Sequence, residues 1–194
     1  MDRKVEDLSP AELGILFPIE IAPYDPGWPY LFEQEKELLI RTLDPGIALR
    51  TEHFGSTAVP GLSAKPTIDI LMEIPQLTNQ LKSRIIEKMD SIDYSFIWRT
   101  DDPVPYMMFT KGYTMDGIKG QTFHIHMGQL DHSLWDRLIF RDFLRQNPEI
   151  SKQYERLKYE LAERFKFDRD GYTMAKTGFI TGITGRAKSS LNAG

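Results

Sequence analysis

The sequence predicts an α/β fold of the α+β kind: a mixed β-sheet flanked by helices, with an all-helical final third packed on it. Three observations carry this expectation. Short β-branched or alternating runs fall within residues 18–130. From residue 131 onward apolar positions recur at helical spacing. No Gly/Ser-rich linker or internal repeat separates the two parts, so they should pack as one compact unit.

Taken in order, Ser9-Pro10-Ala11-Glu12 is a helix start: a serine cap, proline in the first turn and a glutamate able to reach back. It predicts a short helix over 9–16 within an N-terminal extension, residues 1–17. Residues 18–22 alternate like a strand. Asp25-Pro26-Gly27-Trp28 opens a second helix, whose apolar positions run from Trp28 to Leu43 and which Asp44-Pro45-Gly46 ends. Residues 47–54 read as a strand, and 55–66 as a loop with room for a turn or two of helix. Thr67–Ile74 is a β-branched strand, and Leu77, Leu81, Ile85 and Met89 mark a helix. Extended runs follow at about 92–99, 105–112 and 121–128. Turn residues at 116–120 suggest a hairpin with a longer loop between the last two. The sheet should therefore be mixed, with a parallel pair joined by a crossover and then an antiparallel hairpin. Helices are expected over 131–146, 148–166 and 171–188. Gly178, Gly182 and Gly185 weaken the last one, unless their spacing serves close packing.

Composition narrows the function. The 194 residues carry 41% hydrophobic and 27% charged side chains, ordinary values for a folded protein. Cysteine is absent, which excludes disulfides, thiol nucleophiles and cysteine-ligated zinc. A net charge of -4 argues against a general nucleic-acid coat. No apolar run is long enough to span a membrane, and the charged start Met-Asp-Arg-Lys is unlike a signal peptide. A cytoplasmic protein is the expectation.

The strongest local pattern is Glu52-His53-Phe54-Gly55-Ser56-Thr57, then a Pro/Gly loop, then Lys65-Pro66-Thr67-Ile68-Asp69-Ile70-Leu71. Gly55 permits close backbone approach to a ligand, turn N–H groups can meet phosphate oxygens, and Ser56 and Thr57 add hydroxyls. Strand alternation puts Asp69 on the face opposite Ile68 and Ile70. A dry, unpaired carboxylate there costs about several kcal/mol, so it should face water, a metal or a cation. The plain alternative is a loop-capping aspartate beside an ordinary serine turn. In Phe123-His124-Ile125-His126-Met127 the two imidazoles share one strand face, which suits a divalent metal or a phosphate. Two half-buried histidines with backbone partners would give the same pattern. Arg141 and Arg145 share a helix face and could grip phosphates, or they could pair with Asp142 on a solvated face. Trp28, Trp98 and Trp135 read as core or interface anchors.

Together these stretches resemble the GrpB-like family, a group placed within the nucleotidyltransferase superfamily. Ala22-Pro23-Tyr24-Asp25-Pro26-Gly27-Trp28-Pro29, Phe140-Arg141-Asp142-Phe143-Leu144-Arg145 and Tyr172-Thr173-Met174-Ala175-Lys176-Thr177 add to the two patterns above, over about residues 18–188. The resemblance implies a nucleotidyltransferase-like sheet in which Gly55 and Ser56 hold phosphates and Asp69 is the first metal ligand. It also implies a second carboxylate at position 71, where this chain has Leu71, and a third acid on a later strand, where it has His124 and His126. Magnesium prefers oxygen ligands, whereas imidazole suits transition metals.

Two functions follow as expectations. One is transfer of a nucleoside monophosphate from a nucleoside triphosphate to an unknown small acceptor. A divalent metal, magnesium or a transition metal, would sit at Asp69, His124 and His126, and phosphates at Gly55, Ser56, Thr57, Lys65, Arg141 and Lys176. The other is a catalytically degenerate protein that binds a nucleotide or another phosphorylated small molecule. A partner-binding protein on a borrowed fold is a third reading, since fold alone does not fix function.

Overall fold

A computed structural model describes residues 3–100 and 104–191. Its elements are α1 (Pro10–Leu16), α2 (Trp28–Thr42), β1 (Arg50–Phe54), β2 (Thr67–Glu73), α3 (Asn79–Asp90), β3 (Ser95–Arg99), β4 (Tyr106–Thr114), β5 (Gly117–Gly128), α4 (Asp136–Gln146), α5 (Pro148–Arg164) and α6 (Arg169–Leu191). The five strands form one mixed sheet in the order β1-β2-β5-β4-β3. The parallel pair is β2 with β5, and every other neighbouring pair is antiparallel. The chain between the parallel strands runs through α3, β3 and β4, so the site-bearing strands meet only after a long detour.

The predicted cap of α1 forms: Ser9 Oγ accepts from the Glu12 N–H at 3.3 Å, and the Glu12 carboxylate accepts from the Ser9 N–H at 2.9 Å. The Ser9 N–H first, then the Ser9 hydroxyl donating at 2.7 Å and Arg3, pull the Glu12 carboxyl down to about 2. Two local expectations are corrected. Residues 18–22 make only a single bridge, Ala22 to Ala64, because Ile19 and Phe17 are drawn instead against α6 and its approach. The loop expected over 116–120 is shorter. Thr114 pairs with Gly117 across a two-residue turn, and Thr114 Oγ1 both donates to the Gly117 carbonyl and accepts from the Asp116 N–H. The pairing register of β4 with β5 shifts at Gly112, between Lys111 and Tyr113, where a Cβ would lie 2.6 Å from the Gln121 carbonyl.

The sheet has two unlike faces. Ile68, Ile70 and Met72 of β2 align with Phe123, Ile125 and Met127 of β5, and α2 and α3 cover them with Phe32, Leu39, Ile85 and Met89. Most of these side chains are fully buried, and full burial of each contributes about 1.5–3 kcal/mol. On the other face Asp69 aligns with His124, and Leu71 with His126. There Leu71, Phe54, Tyr106 and Met108 pack with Leu134 and Leu138 of the helical third.

α4–α6 form as predicted in place and length to within a few residues, α4 starting after a short 3₁₀ turn at Ser133–Trp135. α6 passes straight through Gly178, Gly182 and Gly185, and a Cβ at any of them would meet open space. Their spacing does not serve close packing. α6 is held by Ile183, Ala187 and Tyr172, all buried, and by a Lys188–Asp136 ion pair at 2.6 Å. No helix among the described residues is long and apolar enough to cross a membrane.

Candidate metal and phosphate site

The register of β2 and β5 decides the site. Because the strands are parallel neighbours and Asp69 stands opposite His124, their side chains leave the sheet on the same face, with His126 one repeat further on. One ligand atom from each of Asp69, His124 and His126 lies within 4.8 Å of the other two. His124 Nδ1 is 3.4 Å from Asp69 Oδ1, and its Nε2 is 2.8 Å from the Tyr113 hydroxyl. With Nε2–H donating to Tyr113, Nδ1 presents its lone pair to the cluster. His126 Nδ1 is 3.1 Å from the Tyr106 hydroxyl and 3.3 Å from Arg137. Burial lowers both imidazoles, His126 well below the ordinary value, where Arg137 and His124 add to the effect. Asp69 opposes this at His124. Both rings are therefore neutral at pH 7, the state a metal requires.

Gly55 makes room for the carboxylate. It has φ 74, a left-handed conformation suited to glycine, and a Cβ there would stand 2.3 Å from Asp69 Oδ2. Glycine at this position is thus tied to the aspartate fourteen residues later, as well as to the turn. The residues after it fold into a 3₁₀ turn, Ser56–Ala58. Burial pushes the Tyr154 phenol up, and the Ser56 side chain offsets part of that rise.

The expected phosphate residues divide. Lys65 and Lys176 approach the Asp69 side of the cluster, and both feel its charge. Thr57 is buried, donates to the Thr67 carbonyl at 3.1 Å and lies 3.0 Å from His53 Nε2, so it braces the turn. Arg141 is also buried. Its guanidinium is engaged by Asp142, by Glu52 at 2.9 Å and by the His53 carbonyl at 2.7 Å. Arg145 donates twice to the Ala58 carbonyl. These two arginines clamp α4 onto β1 and the turn. Leu71, where the resemblance implied a second acid, is fully buried in apolar packing. Glu73 stands at the strand end beside Gly128 and Arg50, outside the cluster.

Two concavities lie elsewhere. A groove of about 350 Å³ runs between Val59–Leu62 and α4–α5, and one of about 150 Å³ lies near His132. Neither is lined by Asp69, His124 or His126. Donor chemistry, not cavity size, therefore singles out the cluster. Sequence reasoning left Tyr113, Tyr154 and Lys158 out of the candidate site. The visible signal was Tyr154 and Lys158 four apart, repeated by Tyr172 and Lys176.

A profile of the GrpB protein family matches residues 18–186. The chain belongs to the GrpB family. Among relatives of this GrpB-family chain, a UPF0157 protein of Pseudomonas aeruginosa is 40% identical over 171 residues, covering 87% of this chain and 67% of its own. Another from Halalkalibacterium halodurans is 33% identical over 193 residues, with 97% and 94% coverage. The crystal structure of the conserved protein GrpB from Enterococcus faecalis superposes with a TM-score of 0.75 at 30% identity, covering 89% of this chain and 99% of that one.

Proposed function

We propose that this protein is a metal-dependent nucleotidyltransferase, moving a nucleoside monophosphate from a nucleoside triphosphate to a small acceptor. The convergence of Asp69, His124 and His126 beside the Gly55 turn carries the reading. Two neutral imidazoles and one carboxylate fit zinc, manganese, iron or nickel better than magnesium. When bound there, such an ion supplies neutralisation of the reacting phosphate and favours a deprotonated acceptor hydroxyl. Asp69 and His124 Nδ1 would hold it, and Tyr113 fixes the His124 ring through Nε2. His126 would complete the set, with Tyr106 and Arg137 beside its Nδ1. The Ser56 turn and the ammoniums of Lys65 and Lys176 orient the phosphates.

The test is pyrophosphate release from labelled nucleoside triphosphates across a panel of divalent metals. Asp69→Asn should abolish turnover while the protein stays folded; unchanged turnover removes the reading. A second reading, binding without turnover, is favoured by Leu71, whose apolar packing leaves no second acid on β2 within the cluster. Under it nucleotide raises thermal stability in proportion to affinity and concentration. Product well above one per chain excludes it.

A further inference from the structure

Helices α5 and α6 repeat one pattern, a tyrosine followed four residues later by a lysine, which places both on one helix face. The Lys158 ammonium lies 5.1 Å from the Tyr154 ring centre, and that of Lys176 lies 4.2 Å from Tyr172. Lys65 enters from the loop before β2, 5.5 Å from the same Tyr172 ring. Arg169 lies over Tyr113, whose hydroxyl holds His124. Lys65 and Lys176 feel the charge of Asp69, and Lys158 that of Glu155, whose carboxylate is turned to the Ser63 N–H at 2.7 Å.

Among the described residues none of the three lysines forms an ion pair with a carboxylate. Lys158 is 1% exposed and donates to the Ser63 carbonyl, while Lys65 and Lys176 are half-buried and reachable. Ammoniums out of water without a countercharge are unfavourable. Burial first, then repulsion by Lys176, lowers Lys65 and Lys158 to about 7, and burial lowers Lys176 to about 8. An anion brought from outside would supply the missing charge.

We propose that Lys65, Lys158 and Lys176, with Arg169, bind a polyphosphate chain lying between the Ser56 turn and helices α5 and α6. One phosphate group can meet one or two of these ammoniums; three of them, from three elements and over two rings, match an extended polyanion. The site therefore selects a triphosphate tail over a monophosphate. This deepens the nucleotidyltransferase reading and rests on it for the identity of the tail as that of a nucleotide.

Calorimetric titration with inorganic tripolyphosphate and with orthophosphate, without divalent metal, tests it. The wild type should bind tripolyphosphate at least about tenfold more tightly than orthophosphate. Lys65→Gln, Lys158→Gln and Lys176→Gln should each weaken tripolyphosphate binding by about tenfold or more, while the ligand-free proteins melt no lower than the wild type. Asp69→Asn should bind it at least as well as the wild type. Equal affinity for the two anions, no binding of either, or wild-type affinity in the half-buried Lys65→Gln and Lys176→Gln variants would overturn the proposal. Those two variants decide the matter if Lys158→Gln does not fold. Tripolyphosphate binding without nucleotide turnover leaves the lysine site standing and removes the transferase. Turnover without discrimination between the anions removes the lysine site alone.

Discussion

The two faces of the sheet are built from the same two strands and carry unlike side chains. Under α2 and α3, β2 and β5 present Ile68, Ile70, Met72, Phe123, Ile125 and Met127, an apolar layer that supplies stability. Under the helical third, the alternate positions of those strands present Asp69, His124 and His126, interrupted by the buried Leu71. The pleat separates apolar packing from the polar cluster, one residue at a time. Variants at the apolar positions should therefore change folding, and variants at Asp69, His124 and His126 ligand binding.

The largest expected effect lies on the apolar face. Ile70→Ala, at a fully buried position, should cost about 2–5 kcal/mol in urea unfolding. A cost under about 1 kcal/mol would show that this face is not the main source of stability. Next is Gly55→Ala, at the junction of turn and carboxylate. Left-handed backbone strain and the Cβ contact with Asp69 should cost about 1–3 kcal/mol and also weaken divalent-metal binding. An alanine variant with wild-type stability and metal affinity would separate the turn from the site.

The third expectation concerns pH. His53 is stacked on Phe32 and beside Thr57; desolvation first, with Arg145 and Arg141, lowers it to about 4 against the net pull of Asp69. Below pH 6.5 the unfolded chain takes up a proton that folded His53 refuses. Its stability contribution is thus complete above pH 6.5 and is lost progressively down to about 4, at up to about 1.4 kcal/mol per pH unit. His53→Gln should flatten that part of the stability profile, as read by urea unfolding between pH 4 and 7; an unchanged slope would assign the acid sensitivity to other groups. The smallest effect belongs to α6. Gly178→Ala, where a Cβ meets open space, should raise stability by up to about 1 kcal/mol. A loss of stability in thermal unfolding would point to a contact made by that glycine.

The separation of faces was legible in the sequence wherever it depended on a period of two. Asp69 between two isoleucines and His124-Ile125-His126 both state their face without any coordinates. Helix starts at Ser9, Trp28 and Pro148 were legible because caps and proline act locally. What could not be read was adjacency. β2 and β5 are joined through α3, β3 and β4, so nothing local announces that Asp69 stands beside His124. The same holds for partners. Arg141 has the composition of a phosphate ligand, yet Glu52, far away in sequence, engages it. Lys158 meets Ser63 and Tyr154 only once α5 packs on the loop before β2. The strand expected over 18–22 failed for a related reason: alternation was present, but only Ala22 found a partner.

The most direct measurement is the stoichiometry and affinity of manganese and zinc binding by calorimetry in the wild type, Asp69→Asn, His124→Ala and His126→Ala. One ion per wild-type chain, lost or strongly weakened in all three variants without loss of fold, is the predicted result. Undiminished binding in any of the three folded variants, or no binding in the wild type, would contradict a shared metal site on this face of the sheet.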